Sequence, residues 1–151
     1  MIELRPLFEL SALVDTPQVT PDGPYGTRRF IPVMGGTFKG ERLSGVLLAG
    51  GSDCQLIRPD GVAELDVRVT LKTEDGVTIF MRGLGIRSGS QEVMARIAKG
   101  EIVPSNEYYF RESMTFEAPQ SGGYEWLNRI IAIGHGERRP DSVHLSVYEV
   151  I

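Results

Sequence analysis

Leu65-Asp66-Val67-Arg68-Val69-Thr70-Leu71-Lys72-Thr73-Glu74-Asp75-Gly76-Val77-Thr78-Ile79-Phe80-Met81-Arg82 is the run that decides how this chain folds. Leu65, Val67, Val69 and Leu71 alternate with Asp66, Arg68, Thr70 and Lys72. Successive strand side chains point to opposite faces, so strict alternation marks a strand with one apolar and one polar face. Glu74-Asp75-Gly76 supplies a turn, because Asp-Gly accepts the positive φ that tight hairpins need. Val77, Ile79 and Met81 then resume the alternation against Thr78, Phe80 and Arg82. The run is an antiparallel hairpin.

Outward from it, Arg58-Pro59-Asp60-Gly61 is a second turn. It joins a strand over Asp53–Ile57 to Val62–Lys72, which makes a three-stranded meander. Further strands are predicted over Leu4–Val14, Arg29–Val33, Leu43–Ala49, Tyr108–Glu117, Tyr124–Gly134 and Ser142–Val150. The 18 glycines fall between short apolar runs, the punctuation of a sandwich or barrel. Asp15–Thr27, rich in proline and glycine, reads as a long loop. One short helix is predicted over about residues 91–99: Ser90 caps it, Val93, Met94, Ile97 and Ala98 give an apolar stripe, and Gly100 ends it. No linker divides the chain. The expected fold is all-β, with residues 1–151 forming a single antiparallel β-barrel, because so many strands in one open sheet would leave long edges unpaired.

Composition narrows the function classes. The chain has 151 residues, 41% hydrophobic and 24% charged, as in one globular domain. A net charge of −4 argues against a nucleic-acid partner, which selects a basic face, and against a polybasic membrane anchor. The lone Cys54 excludes an internal disulfide, and with His135 and His144 it is too little for a Cys/His-rich zinc site. Met1–Pro6 has no signal-peptide pattern, and no apolar run is long enough to span a bilayer as a helix. The expectation is a cytoplasmic protein with no cofactor, no metal, no nucleic acid and no membrane partner. Gly83-Leu84-Gly85-Ile86 does not complete a dinucleotide fingerprint, and Ser44 and Ser113 lack triad partners.

Candidate chemistry lies on polar strand faces. Asp66 and Arg68 share the polar face of Val62–Lys72. That face is either a solvated outer surface or the lining of a polar barrel interior, where a buried Asp–Arg pair would mark a site. Tyr109 and Arg111 share a face of Glu107–Arg111, and together they can bind a carboxylate or polarise a carbonyl. Their alternative is an outer surface over a Tyr108/Phe110 core. Trp126 and Asn128 pair an apolar wall with a bidentate amide. Asp53 and Gln55 share a face after Gly50-Gly51-Ser52, while Cys54 points to the other and has no activating neighbours in sequence.

Several motifs recur together in order: Gly35-Gly36-Thr37-Phe38-Lys39-Gly40, Gly50-Gly51-Ser52-Asp53, Arg58-Pro59-Asp60-Gly61, Tyr108-Tyr109-Phe110-Arg111, Trp126-Leu127-Asn128, Arg138-Arg139-Pro140-Asp141 and Val147-Tyr148-Glu149-Val150. From Leu4 to Val150 this string resembles the domain of unknown function 3237 family, also called uncharacterised protein family 0311. The resemblance implies a calycin-like or allene-oxide-cyclase-like β-barrel. Barrels of that kind serve as carriers or as cofactor-free cyclases and isomerases, an analogy of fold only. Cys54 departs from the Asp-Trp pair common in the family.

The functional expectation is a small-molecule site inside the barrel, lined by Asp53, Gln55, Asp66, Arg68, Tyr109, Arg111, Trp126 and Asn128. As an enzyme it would be a cofactor-free isomerase, cyclase or lyase acting on an oxygenated organic ligand. Asp66 would be the base, Tyr109 the acid, and Arg111 or Arg68 the anion clamp. The alternatives are a non-catalytic carrier and an interaction domain with a filled core. A homodimer is expected because two-fold pairs are the commonest oligomers.

Overall fold

The computed structural model describes residues 1–151. Ten strands form: β1 (Leu4–Val14), β2 (Gln18–Gly23), β3 (Gly26–Lys39), β4 (Ser44–Leu47), β5 (Ser52–Ile57), β6 (Ala63–Thr73), β7 (Thr78–Ser88), β8 (Tyr109–Glu117), β9 (Ala132–Arg138) and β10 (Ser142–Val150). The helix α1 spans Gln91–Ala98, and the Ser90 hydroxyl accepts the Val93 N–H at 3.1 Å. All strand pairs are antiparallel, and eight strand positions close into a barrel in the order β1-β10-β9-β8-β7-β6-β4/β5-β3. β4 and β5 share one position: β4 bridges the far ends of β3 and β6, and β5 bridges their near ends. β1 pairs with β3 from Glu9↔Lys39 to Val14↔Val33, and that ladder closes the ring. Closure leaves few free edges.

The hairpin read from sequence is β6–β7. Gly76 adopts φ +89 at its turn, and Thr73 Oγ1 accepts the Val77 N–H at 2.9 Å. Its apolar face, with Ala63, Leu65, Val69, Leu71, Ile79 and Met81, is buried inside the barrel. The polar face of β6 points outward, which corrects the reading that it lines the interior. The alternation itself decides this: the barrel needs the apolar set for its core, so the charged set must face water.

The core is one cluster of buried apolar side chains inside the barrel. Phe8 packs edge-on against Phe38 and Phe116 at ring-centroid distances of 5.5 and 6.2 Å. A register shift between Pro6 and Phe8 lets Leu7 and Phe8 both turn inward. Gly36 has to be glycine, because a Cβ there would lie 2.1 Å from the Ser11 carbonyl oxygen. β3 passes there from its β5 partner to its β4 partner.

Two other expectations are corrected. Asp15–Thr27 is not a loop; it contains β2 and its turn into β3. β2 pairs only with β3, and the register slips between Thr20 and Gly23 around Pro21. An edge strand tolerates a proline that a central strand would not. Tyr124–Gly134 is not one strand either. Glu125–Arg129 is a 3₁₀ turn that drives Leu127 into the core, and the strand begins only at Ala132. Gly122 and Gly123, both at positive φ, reverse the chain before it.

Candidate active site

The barrel interior also holds polar side chains. There β5 turns Asp53 and Gln55 inward, β7 turns Arg87 inward, and β8 turns Glu112 inward. Around them lie Leu10, Ile31, Val33, Val69, Met81 and Leu145, enclosing a cavity of about 50 Å³. Arg87 and Arg138 also border a larger vestibule of about 470 Å³, together with Arg29 and the α1 residues Met94, Ile97 and Ala98. No α1 residue is fully buried, but Val93 and Ile97 pack against the core from this side.

Glycines make the room. Gly83 and Gly85 on β7 and Gly134 and Gly136 on β9 flank the inward face of β8. A Cβ at Gly85 would meet Glu112 Cγ at 2.6 Å, and one at Gly136 would meet the Phe110 ring at 2.4 Å. Larger residues at these positions would occupy the space that Glu112 and Phe110 use.

The polar groups form one chain of hydrogen bonds. Asp53 Oδ1 accepts the Asp66 backbone N–H at 3.1 Å, and Asp53 Oδ2 accepts Gln55 Nε2 at 3.2 Å. Gln55 is 0% exposed, and its Oε1 accepts Arg29 Nη1 at 3.1 Å and Arg87 Nη2 at 3.4 Å. The amide thus turns its donor to the carboxylate and its acceptor to the guanidiniums, an orientation fixed by its partners. Glu112 is outside this chain. It is 4% exposed, and its Oε2 is buried without a partner, as is Arg87 Nε.

The electrostatics follow from burial. Removing a carboxyl from water disfavours its charged form, and a nearby negative charge adds to this. Burial first and Asp53 second therefore push Glu112 up to about 8, against a weaker pull from Arg87. Burial also raises Asp53, but its hydrogen bonds from Asp66 and Gln55 and the charge of Arg87 hold it back. Burial pulls Arg87 down to about 10, and Arg138 and Arg29 add repulsion. Arg138 is lowered by burial and then by Arg29. Buried Tyr108 accepts the Arg138 backbone N–H at 2.8 Å, and desolvation raises its phenol. No cluster of three or more His, Cys, Asp or Glu side chains with metal-binding geometry is present.

Of the side chains singled out from sequence, the barrel brings Asp53 and Gln55 together inside. It places the others elsewhere, correcting the expectation of one shared cavity. The Asp66 carboxylate lies on the outer face, 3.6 Å from Arg68 and 3.8 Å from Arg82, and only its backbone N–H reaches the site. Arg68 is exposed. Tyr109 is 52% exposed, and Arg111 lies over its ring at 5.2 Å, also outside. Trp126 stacks under Arg42 at 4.4 Å. Asn128 clamps the end of β8: its Oδ1 accepts the Ala118 N–H at 2.6 Å, and its Nδ2 donates to the Ala118 carbonyl at 2.9 Å. Both sit on the 3₁₀ turn, not on a strand.

Glu112, Arg87, Arg29 and Arg138 were not singled out from the sequence. A signal for Glu112 exists: Phe110, Met114 and Phe116 alternate on an apolar face, and Glu112 falls in step with them. A charged residue on an apolar face is the informative exception. Arg87 is in step with Ile79 and Met81, but Gly83 and Gly85 interrupt the pattern.

Comparison with known proteins agrees with this architecture. Residues 2–150 match the family described as Protein of unknown function (DUF3237). A UPF0311 protein of Rhodopseudomonas palustris is 35% identical over 99% of this chain and 97% of its own. Its counterpart in Clostridium acetobutylicum is 35% identical over 95% of this chain and 91% of its own. Among solved structures, a conserved protein of unknown function from Rhodopseudomonas palustris superposes with a TM-score of 0.96 at 32% identity, covering 100% of this chain and 99% of its own. A beta-barrel like protein from Acinetobacter baumannii gives 0.86 at 35% identity, covering 100% and 97%. An enzyme from Penicillium herquei shares the fold at a TM-score of 0.69 and 17% identity, covering 100% and 94%. With the motif string, the closed barrel and the whole-chain matches in agreement, this chain belongs to the DUF3237 family.

Proposed function

We propose that this barrel binds a small oxygenated organic molecule and moves protons on it without a cofactor, as an isomerase, cyclase or lyase does. Glu112 is the observation that carries the reading: a buried carboxyl with a bare oxygen, raised to about 8, lining the same cavity as a hydrogen-bonded Asp53. Two carboxyl groups whose environments push their proton affinities apart make an acid and a base. Asp53, held by the Asp66 N–H and Gln55 Nε2, takes a proton from the carbon beside a carbonyl. Glu112, protonated at neutral pH, donates its proton to the carbonyl oxygen, leaving a neutral enol. Return of that proton from Asp53 to a different carbon, with the enol proton going back to Glu112, isomerises the ligand. Where the ligand carries an internal hydroxyl instead, Asp53 takes the hydroxyl proton as its oxygen adds to the carbonyl carbon and Glu112 protonates the carbonyl oxygen, which closes a ring. A positioned acid or base contributes about 10²–10⁴-fold.

The test is hydrogen exchange from carbon. Short oxo acids such as 4-oxopentanoate are incubated with the protein in D₂O and followed by proton NMR. Accelerated loss of the signals beside the carbonyl, abolished by Asp53→Asn and slowed at least tenfold by Glu112→Gln, supports the reading. Exchange indifferent to both substitutions refutes it. A second reading is a carrier, favoured by the apolar lining of Ile31, Val33, Met81 and Leu145. It expects binding with no exchange.

A further inference from the structure

Arg29, Arg87 and Arg138 converge on the vestibule from three different strands. None of them makes a salt bridge within 4.0 Å of a carboxylate, although much of the rest of the chain's arginine does. Their hydrogen bonds go to neutral acceptors: Arg29 and Arg87 to Gln55 Oε1, and Arg138 to the backbone carbonyls of Arg139 and Ser142. Arg87 is 4% exposed, and its Nε has no partner. Asp53 attracts all three from farther off, and Asp141 attracts Arg138 alone. Glu112 adds no negative charge while it is protonated. Desolvated like charges this close together are costly, and a bound anion relieves that cost. Guanidinium forks match a carboxylate better than any other common anion-binding side chain does.

The space behind them limits what the anion can be attached to. The cavity of about 50 Å³ is apolar apart from Asp53, Gln55, Arg87, Glu112 and Arg138. At about 10–15 Å³ per water-sized position, it accepts roughly four heavy atoms.

We infer that the ligand is a short organic acid, with its carboxylate held in the vestibule by Arg29, Arg87 and Arg138 and a body of about four non-hydrogen atoms reaching inward to Glu112. This rests on the proposed proton-transfer site and names its substrate class. A carboxylate at the mouth orients the ligand, so that whatever carbonyl it carries lies toward the acid and the base.

The experiment compares three probes by NMR titration of the whole chain at constant ionic strength. Pentanoate carries both charge and body, pentanamide the body alone, and acetate the charge alone. Pentanoate is expected to bind at least tenfold more tightly than either. Arg29→Gln and Arg138→Gln, both at partly exposed positions, are each expected to weaken pentanoate at least tenfold and to leave pentanamide unchanged. Pentanamide binding within twofold of pentanoate overturns the inference. So does acetate binding as tightly as pentanoate, which would reveal an anion site with no role for the body. So does the absence of pentanoate binding at tens of millimolar. The titration of Glu112 in the same sample separates the two levels. A Glu112 midpoint near that of free glutamate defeats the proton-transfer reading. A raised midpoint with no pentanoate preference defeats only the substrate class.

Discussion

Replacing Glu112 by Gln keeps the shape of the side chain and removes its ionisation, so the effect on stability should depend on pH in one direction. The carboxyl rises from 4.5 to about 8 on burial. Below about pH 4.5 it is protonated in both folded and unfolded chains and contributes no pH dependence. Between those values the unfolded chain has lost the proton and the folded chain has kept it, so stability falls as pH rises. Above about 8 both are ionised, and the loss is complete. At about 1.4 kcal/mol for each tenfold change in proton affinity, the full loss is roughly 3–5 kcal/mol. That is a large part of the roughly 5–15 kcal/mol that holds a domain of this kind folded. Urea unfolding of the native chain and Glu112→Gln at half-unit steps from about pH 5 to 9 reads this directly. The variant should gain on the native chain steadily with pH, ending ahead by at least 2 kcal/mol relative to their difference at about pH 5. A difference that stays flat across the range refutes the buried-acid reasoning, whatever its absolute size.

Gly85→Ala forces a Cβ to within 2.6 Å of Glu112 Cγ and 2.5 Å of the Arg111 carbonyl oxygen, and should cost about 1–3 kcal/mol in urea unfolding. Asn128→Ala removes both hydrogen bonds to Ala118 and should lower stability by about 1–2 kcal/mol without changing ligand binding, as thermal melts with and without pentanoate can show. Asp66→Asn on the outer face should leave carbon exchange within twofold of the native rate, because only the Asp66 backbone N–H reaches Asp53; a large loss would return Asp66 to the chemistry. Exposed Leu84, Ile86, Tyr109 and Ile133 share the outer face of β7–β9, and a homodimer through them should sediment as a monomer after Ile86→Asp, whereas a monomeric native chain contradicts that pairing.

The strand framework was legible because alternation and turn chemistry are local. Leu65–Met81 placed the β6–β7 hairpin, and Ser90 and Gly100 bracketed α1 to within a residue or two. Asp53 and Gln55 share a parity that sets both on one face, and that face proved to be the inner one. Which face is inner is a property of the closed ring, not of one strand. For β8 the parity is present in Phe110, Met114 and Phe116, and Glu112 is in step with them, but it is charged, like the outward Arg111 beside it, and so does not by itself mark the inner face. Arg87 and Arg138 were hidden by the glycines before them, since Gly83, Gly85, Gly134 and Gly136 erase the alternation while making room for Glu112 and Phe110. Trp126 and Asn128 were misplaced because the run Tyr124–Gly134 has strand-like composition, and only the tertiary demand for Leu127 in the core bends it into a 3₁₀ turn. β2 was hidden because Pro21 within it and Pro17 and Pro24 on either side argue against a strand, and that argument fails at an edge.

Everything proposed for this barrel rests on Glu112 holding its proton at neutral pH beside Asp53. The most direct measurement is the ¹³C chemical shift of the Glu112 carboxyl followed against pH, assigned by its absence in Glu112→Gln. The expected midpoint is near 8, moving down when Asp53→Asn removes the neighbouring carboxylate. A midpoint near 4.5, unmoved by that substitution, would contradict it.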